Sequence, residues 1–317
     1  MFQRNLGKSD ITVSLLGLGC WAIGGDAWGK VNDQESIRAI HRALDLGVTF
    51  YDTANVYGGG HSERVLGEAL GTKRSDVIVA TKFGNGQDEQ TGQPFSKQSA
   101  AQFIVNACEA SLRRLNTDYI DLYQFHLNNY DPLDAEPVRN ALDSLVQSGK
   151  IRYYGWSTDG PEQAQAFADS EHYIAVQQRL NLFEGDETTL AVCEEHNLAS
   201  INRGPLAMGL LTGKYSNESQ LSSDDIRGRN MSWIKSFTNG KPNAMWLSRL
   251  EQVRHILASE GRTLTQGALA WLWGRSTQTI PIPGFKTVEQ VEENVRAITF
   301  GPLREEQMQT IGNLLND

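Results

Sequence analysis

Apolar positions along the chain follow two rhythms that take turns. Short runs rich in β-branched and aromatic residues alternate with longer stretches whose apolar residues recur every three or four positions. The short runs are Ser14–Gly19 (SLLGLG), Val48–Asp52 (VTFYD), Val77–Lys82 (VIVATK), Tyr119–His126 (YIDLYQFH), Ile151–Ser157 (IRYYGWS), Ile174–Gln178 (IAVQQ), Leu198–Asn202 (LASIN) and Thr279–Gly284 (TIPIPG), eight strand candidates in all. One helix presents Ile37, Ile40 and Leu44 on a single face and opens with Asn32 and Glu35 three apart, as in a capping box. Others are predicted around Phe103–Leu115 and Val138–Gln147, the latter stopping at Gly149. Eight strand–helix units without a polar linker predict the α/β class and a single (β/α)8 TIM barrel over residues 1–317, with a doubly wound sheet as the competing arrangement. A barrel reaches this length as one domain. Gly84–Lys97 and about Tyr215–Met245 carry neither rhythm, and the second is long enough to cover a site.

Composition narrows the function. The chain has 29 Lys+Arg against 38 Asp+Glu, a net charge of −9, which argues against a nucleic-acid or anionic-membrane surface. A local basic pocket is still compatible with it. Cys20, Cys108 and Cys193 are scattered, with no CxxC pair, so neither a zinc ribbon nor a redox dithiol is signalled. The N-terminal MFQRNLGKSD lacks the pattern of a signal peptide, and no apolar run approaches the about 20 residues of a membrane helix. The expectation is a reducing, cytoplasmic location.

In a parallel barrel, reactive groups stand at the C-terminal ends of strands. Side chains alternate along a strand, so Asp52 shares a face with Val48 and Phe50, Lys82 with Ile78 and Ala80, and His126 with Leu122 and Gln124. Tyr57 lies on the turn five residues beyond Asp52. Each residue alone reads as structural: a helix cap, a surface ion pair or a core histidine. Together at the ends of consecutive strands they form a coherent proton-transfer set. A free tyrosine has a pKa near about 10, and an adjacent ammonium lowers it. A carboxylate keeps that ammonium charged, and a histidine can orient a carbonyl or relay a proton. The segment GLGCWA (Gly17–Ala22) fits a GxGxxG/A dinucleotide fingerprint, but AIGGDAWGK follows rather than a helix, so it reads as a loop. GLLTGK is too short for a phosphate-binding P-loop, and no HExxH-type metal cluster is present. His41, His61, His172, His196 and His255 read as surface residues.

The segments DTANVYGGGHSERVLGEAL, ATKFG, DYIDLYQFH, GKIRYYGWS, PLAMGLLTGKY and IPIPGFKTVEQVEEN, in this order over nearly the whole chain, resemble the aldo-keto reductases. The likeness is greatest to bacterial longer-chain members related to potassium-channel β subunits. The resemblance implies a (β/α)8 barrel that binds NADPH without a Rossmann domain, and a tetrad of Asp52, Tyr57, Lys82 and His126 with Tyr57 as general acid. It implies that Ser157 and Gln177 meet the nicotinamide carboxamide, that Leu206, Gly209 and Lys214 form the pyrophosphate loop, and that Arg227 closes over the cofactor. Gly284, Lys286, Gln290, Glu293 and Asn294 match the adenosine end, where Lys286 would face a 2′-phosphate.

The departures gather at the nicotinamide end. Arg203 and Gly204 replace the usual aromatic–serine pair, so Arg203 would either stack its planar guanidinium on the ring or pair with a nearby acid. Thr158 stands where asparagine is usual, and Cys20 where threonine is common, beside Trp21, whose position often lines the substrate pocket. Trp28, Trp233 and Phe237 are further candidate pocket walls. The channel subunits typically carry asparagine in place of His126, so its presence favours a reductase. The expected function is NADPH-dependent hydride transfer to a small carbonyl compound, or from the corresponding alcohol or sugar. Two alternatives stand beside it: an NADPH-holding redox-sensing subunit, and a lyase or isomerase forming a Schiff base on Lys82.

Overall fold

The structure is a computed structural model that describes residues 2–316. Eight parallel strands form one sheet: β1 (Leu18–Gly19), β2 (Phe50–Asp52), β3 (Ile78–Phe83), β4 (Ile120–Phe125), β5 (Ile151–Ser157), β6 (Tyr173–Arg179), β7 (Ala199–Arg203) and β8 (Thr279–Pro281). Neighbours in space are neighbours in sequence, and the sheet curls until its ends meet. The seam is narrow. Gly17 N donates to Pro281 O at 3.0 Å and Gly19 N to Pro283 O at 3.1 Å. The two prolines accept there and have no N–H to give back. Gly19 allows the close approach, since a Cβ on it would lie 2.8 Å from the Ile282 carbonyl oxygen.

Helices α1 (Asp33–Asp45), α2 (His61–Leu70), α3 (Ala100–Leu115), α4 (Glu136–Gln147), α5 (Pro161–Gln165) and α6 (Glu187–Glu195) each return the chain to the next strand. After β7 come α7 (Ala244–Leu257) and α8 (Leu264–Arg275), and after β8 come α9 (Val288–Arg296) and α10 (Glu305–Asn316). The Asn32 side chain caps α1 by accepting from Glu35 N at 3.1 Å. Buried α8 opens with a reciprocal capping box between Thr263 and Gln266. Among the described residues no helix is long and apolar enough to cross a membrane.

The expected strand Ser14–Gly19 divides in two. Thr12–Ser14 pairs antiparallel with Gln3–Asn5 in a separate hairpin, and only Leu18–Gly19 joins the barrel. Ser14 turns the chain between them, donating from its hydroxyl to Leu16 O at 2.6 Å and accepting from Thr49 N at 3.1 Å. Leu6, Ile11 and Val13 of this hairpin segment pack against the inward side chains Phe50, Ala80, Leu122, Ala199, Ile201 and Ile280. The lower barrel is therefore an apolar plug. Further along the same inward rows, at the strands' C-terminal ends, stand Asp52, Lys82, Gln124, Ser157, Gln177 and Arg203.

The segment between Tyr215 and Met245 is not structureless. It carries a turn at Ile226–Gly228 and a small hairpin, Phe237–Thr238 with Lys241–Pro242, and α7 begins at Ala244. It reaches across to the loop after β1, where Ile226 N donates to Ala27 O at 2.6 Å.

Leu6 has no exposed surface and packs among the inward side chains at the floor of the barrel. Leu6→Ala should destabilise the fold by about 2–5 kcal/mol, the usual range for a core cavity, read as a lower denaturant midpoint. A midpoint equal to wild type would mean that the hairpin does not seal the barrel.

Candidate active site

A cleft of about 1190 Å³ opens over the C-terminal ends of the strands. At its centre Lys82, with no exposed surface, gives its ammonium to Asp52 Oδ1 at 2.5 Å, Thr53 O at 2.8 Å and Tyr57 OH at 3.3 Å. All three ammonium hydrogens are thus placed. Asp52 Oδ2 accepts from Gln124 Nε2 at 2.9 Å and from Gln177 Nε2 at 2.7 Å. The inward faces of β2, β3, β4 and β6 converge on this network. Tyr57 is brought to it by a tight turn. Gly58 there has φ +59°, and a Cβ would lie 2.0 Å from the Gly24 carbonyl oxygen, so the turn needs glycine both for its conformation and for its contact. His126 follows β4, held by its N–H on Phe83 O at 2.7 Å, and its ring stands edge-on to Tyr57 at 6.5 Å between centroids.

The electrostatics differ in one respect from the sequence reading. Burial raises the Tyr57 pKa above the ordinary phenol value, and the Lys82 ammonium pulls the other way without reversing it. The residue is held as a phenol with its proton on. Burial by itself lowers the Lys82 pKa, but Asp52 and Tyr57 outweigh it, so the net direction is upward and the amine stays charged. Burial, with Lys82 and Arg203 adding to it, pushes the His126 pKa well below the ordinary histidine value. The ring is neutral and keeps an N–H to give, while its Nδ1 has no partner among the described residues.

Trp21 stacks over Tyr57 at 5.9 Å and meets Trp28 at 5.1 Å and Trp233 at 6.1 Å, forming an aromatic wall. Phe237 is not part of that wall; it is buried behind it, edge-on to Tyr215. Ser157, Gln177, Arg203, Gly204, Leu206, Gly209, Lys214, Arg227, Gly284, Lys286, Gln290, Glu293 and Asn294 all line the cleft. Cys20 and Thr158 do not. Cys20 has no exposed surface, and its Sγ turns inward to Leu18 O. Thr158 is buried with its hydroxyl donating to Asn128 O at 2.9 Å, because its short side chain reaches the neighbouring strand's loop rather than the cleft.

Arg203 lines the cleft and is paired there, its Nη2 at 2.5 Å from Asp159 Oδ2, the ion pair that was one of the two expectations for this residue. Burial lowers its pKa, and Asp159 opposes that shift. Asp159 also accepts from Arg179 N at 2.6 Å, fastening the ends of β5, β6 and β7 together. Gln124, Asp159 and Arg179 were not singled out as site residues. Gln124 did carry a signal, as a polar side chain on the inward row of β4.

At the far end of the cleft Lys214, Arg227 and Lys286 gather. Arg227 is fixed by Asp225, Met208 O and Tyr215 OH, with its guanidinium 4.9 Å from the Trp28 ring centre. Lys286 donates to Trp28 O, and burial together with its cationic neighbours Arg227 and Lys214 lowers its pKa, Asp225 acting against them. Beside them Ala207, Met208 and Gly209 run through the left-handed region at φ 48°, 57° and 91°, a tight turn in which Ala207 N donates to Gly204 O and Gly209 N to Leu206 O, both at 2.9 Å. A cationic end at Lys214, Arg227 and Lys286 and an end lined by Tyr57 and His126, in one cleft, fit a phosphorylated dinucleotide. Buried nitrogens of its lining residues that have no partner among the described residues, His126 Nδ1 and Trp28 Nε1, agree with a ligand site.

Residues 15–316 match the Aldo/keto reductase family. The chain belongs to that family. An aldo-keto reductase of Bacillus subtilis (strain 168) is 34% identical over 323 residues, spanning 100% of this chain and 94% of the relative. Among solved structures, a glycerol dehydrogenase from Gluconobacter oxydans superposes with a TM-score of 0.81 at 33% identity, covering 99% of this chain and 94% of that one. An aldo-keto reductase from Klebsiella pneumoniae, solved in complex with NADPH, gives 0.73 at 26% identity, covering 99% and 95%. These neighbours are (β/α)8 barrels, in keeping with the strand order here.

The folded His126 pKa lies below the unfolded value of about 6.5. The neutral ring therefore contributes stability that is present above about 6.5 and is lost as pH falls from there toward the folded pKa. His126→Asn should make the acid-side decline in unfolding free energy shallower. An unchanged slope would show that the folded ring protonates like a free one.

Proposed function

We propose that this chain is an NADPH-dependent carbonyl reductase, working in reverse as an alcohol dehydrogenase, with Tyr57 as general acid. The observation that carries the reading is the buried Asp52–Lys82–Tyr57 chain opening onto one cleft beside a neutral His126. The binding of NADPH by the Klebsiella relative supports the cofactor. Lys214, Arg227 and Lys286 would hold its phosphates, and Ser157 and Gln177 its carboxamide. The bound cofactor supplies the hydride.

The protein's own part is proton chemistry and orientation. His126 gives its ring N–H to the carbonyl oxygen and sets the carbonyl's direction. Tyr57 delivers its phenolic proton as the oxygen becomes an alkoxide, and the Lys82 ammonium stabilises the phenolate left behind. Asp52 holds that ammonium in place. The aromatic wall of Trp21, Trp28 and Trp233 shields the reacting centre from water. A Schiff base on Lys82 needs a free neutral amine. The three partners of Lys82 and its raised pKa oppose that reading.

Tyr57→Phe should lower kcat by about 10²- to 10⁴-fold, the usual share of a general acid, with NADPH binding nearly unchanged. Retention of more than about a tenth of wild-type kcat in an NADPH-oxidation assay would remove Tyr57 from that role.

Lys286→Ala should weaken NADPH by roughly tenfold or more, the scale of one charge-assisted contact, and NADH far less. Equal weakening of the two in fluorescence titrations would place the 2′-phosphate elsewhere.

A further inference from the structure

We infer that Gln124 is a positioning residue that holds the second amide hydrogen of Gln177 away from the cleft, and so fixes the kind of group the site accepts there. The inference rests on the reading that the cleft takes a nicotinamide dinucleotide. Gln124 and Gln177 are both buried, and both point along inward rows at Asp52. Gln124 Nε2 lies 2.9 Å from Asp52 Oδ2, Gln177 Nε2 lies 2.7 Å from the same oxygen, and Gln177 Nε2 lies 3.1 Å from Gln124 Oε1.

The two ends of a glutamine amide are nearly the same size, so chemistry must decide which way each one turns. Here it does. A carboxylate paired with Lys82 offers acceptors only, so Gln124 must present its NH2 to Asp52. Its Oε1 is then turned toward Gln177. Gln177 in turn spends both amide hydrogens, one on Asp52 and one on Gln124 Oε1. Only Gln177 Oε1 is left for the cleft, and a ligand group placed there has to be a hydrogen-bond donor. The carboxamide NH2 of nicotinamide is such a group.

Without Gln124 the constraint fails. Gln177 retains its bond to Asp52 but loses the acceptor for its second hydrogen. It can then turn that N–H to the cleft, where it would face the carboxamide NH2 donor to donor. Gln124 thus acts on the ligand through Gln177, and it does not touch the ligand itself.

The test uses two ligands, NADPH and 2′-phospho-ADP-ribose, which keeps the adenosine end and pyrophosphate but lacks nicotinamide. In Gln124→Leu, of similar volume, the Kd for NADPH should rise about tenfold, the scale of one lost hydrogen bond with its orphaned partner, while the Kd for the truncated ligand changes less than about twofold. Gln124→Glu covers the case in which an apolar residue prevents folding. Its carboxyl, protonated at low pH, can donate to Asp52 and accept from Gln177. Ionised, it repels Asp52. That variant should bind NADPH like wild type near pH 6 and progressively more weakly toward about pH 9, a dependence that the truncated ligand lacks. Equal weakening of both ligands, or no weakening of either, with a flat pH response in Gln124→Glu, overturns the role of Gln124. A wild-type protein that binds the truncated ligand as tightly as NADPH overturns the nicotinamide reading, and this inference with it.

Discussion

Everything at the centre of this barrel follows from one ammonium buried with no exposed surface. A charge in that position is tolerable only if every hydrogen it carries has a partner. Lys82 meets the condition with a carboxylate, a backbone carbonyl and a phenol, all drawn from the single stretch 52–57 at the end of β2 and the turn after it. The carboxylate has the complementary need for donors, met by two glutamines from β4 and β6. Satisfying one charge therefore recruits residues from across the barrel, and Tyr57 is held in register by the same bonds.

The fold was largely legible because the signals that reveal it are local. Alternating periodicities gave eight strands near their observed places, and the Asn32 cap and the Gly149 stop bounded helices well. The miss at Ser14–Gly19 has a physical cause. An apolar run shows that a segment is buried and leaves open what it pairs with, and the pairing of Thr12–Ser14 depends on Gln3–Asn5, which carries no apolar pattern of its own. The relief of the long segment after β7 escaped for a similar reason, since its two-residue strands are too short to show a period.

The site was legible to the extent that parity along a strand gives direction. Asp52, Lys82 and His126 sat in phase with inward apolar residues, and the structure brings them together with Tyr57 at one cleft. The strength of each environment was not legible, because desolvation depends on neighbours from distant segments. Lys82 alone suggested a lowered phenol pKa, whereas burial beneath Trp21 and the strand ends carries it upward. Arg203 shows the same limit. Its partner Asp159 lies 44 residues earlier, and only the closed barrel makes them adjacent.

The strands that carry this chemistry are unequal. Lys82 and Gln124 stand on six-residue strands, and Gln177 on one of seven residues, each laddered on both sides. Trp21 follows a strand of two residues, beside the seam where proline carbonyls only accept. Backbone support is therefore distributed unevenly around the opening: dense under Lys82, Gln124 and Gln177, and sparse under Trp21, which stacks over Tyr57. The bank of the cleft that holds the buried ion pair is thus tied into the sheet by long ladders, and the bank from which Trp21 rises by a ladder two residues long.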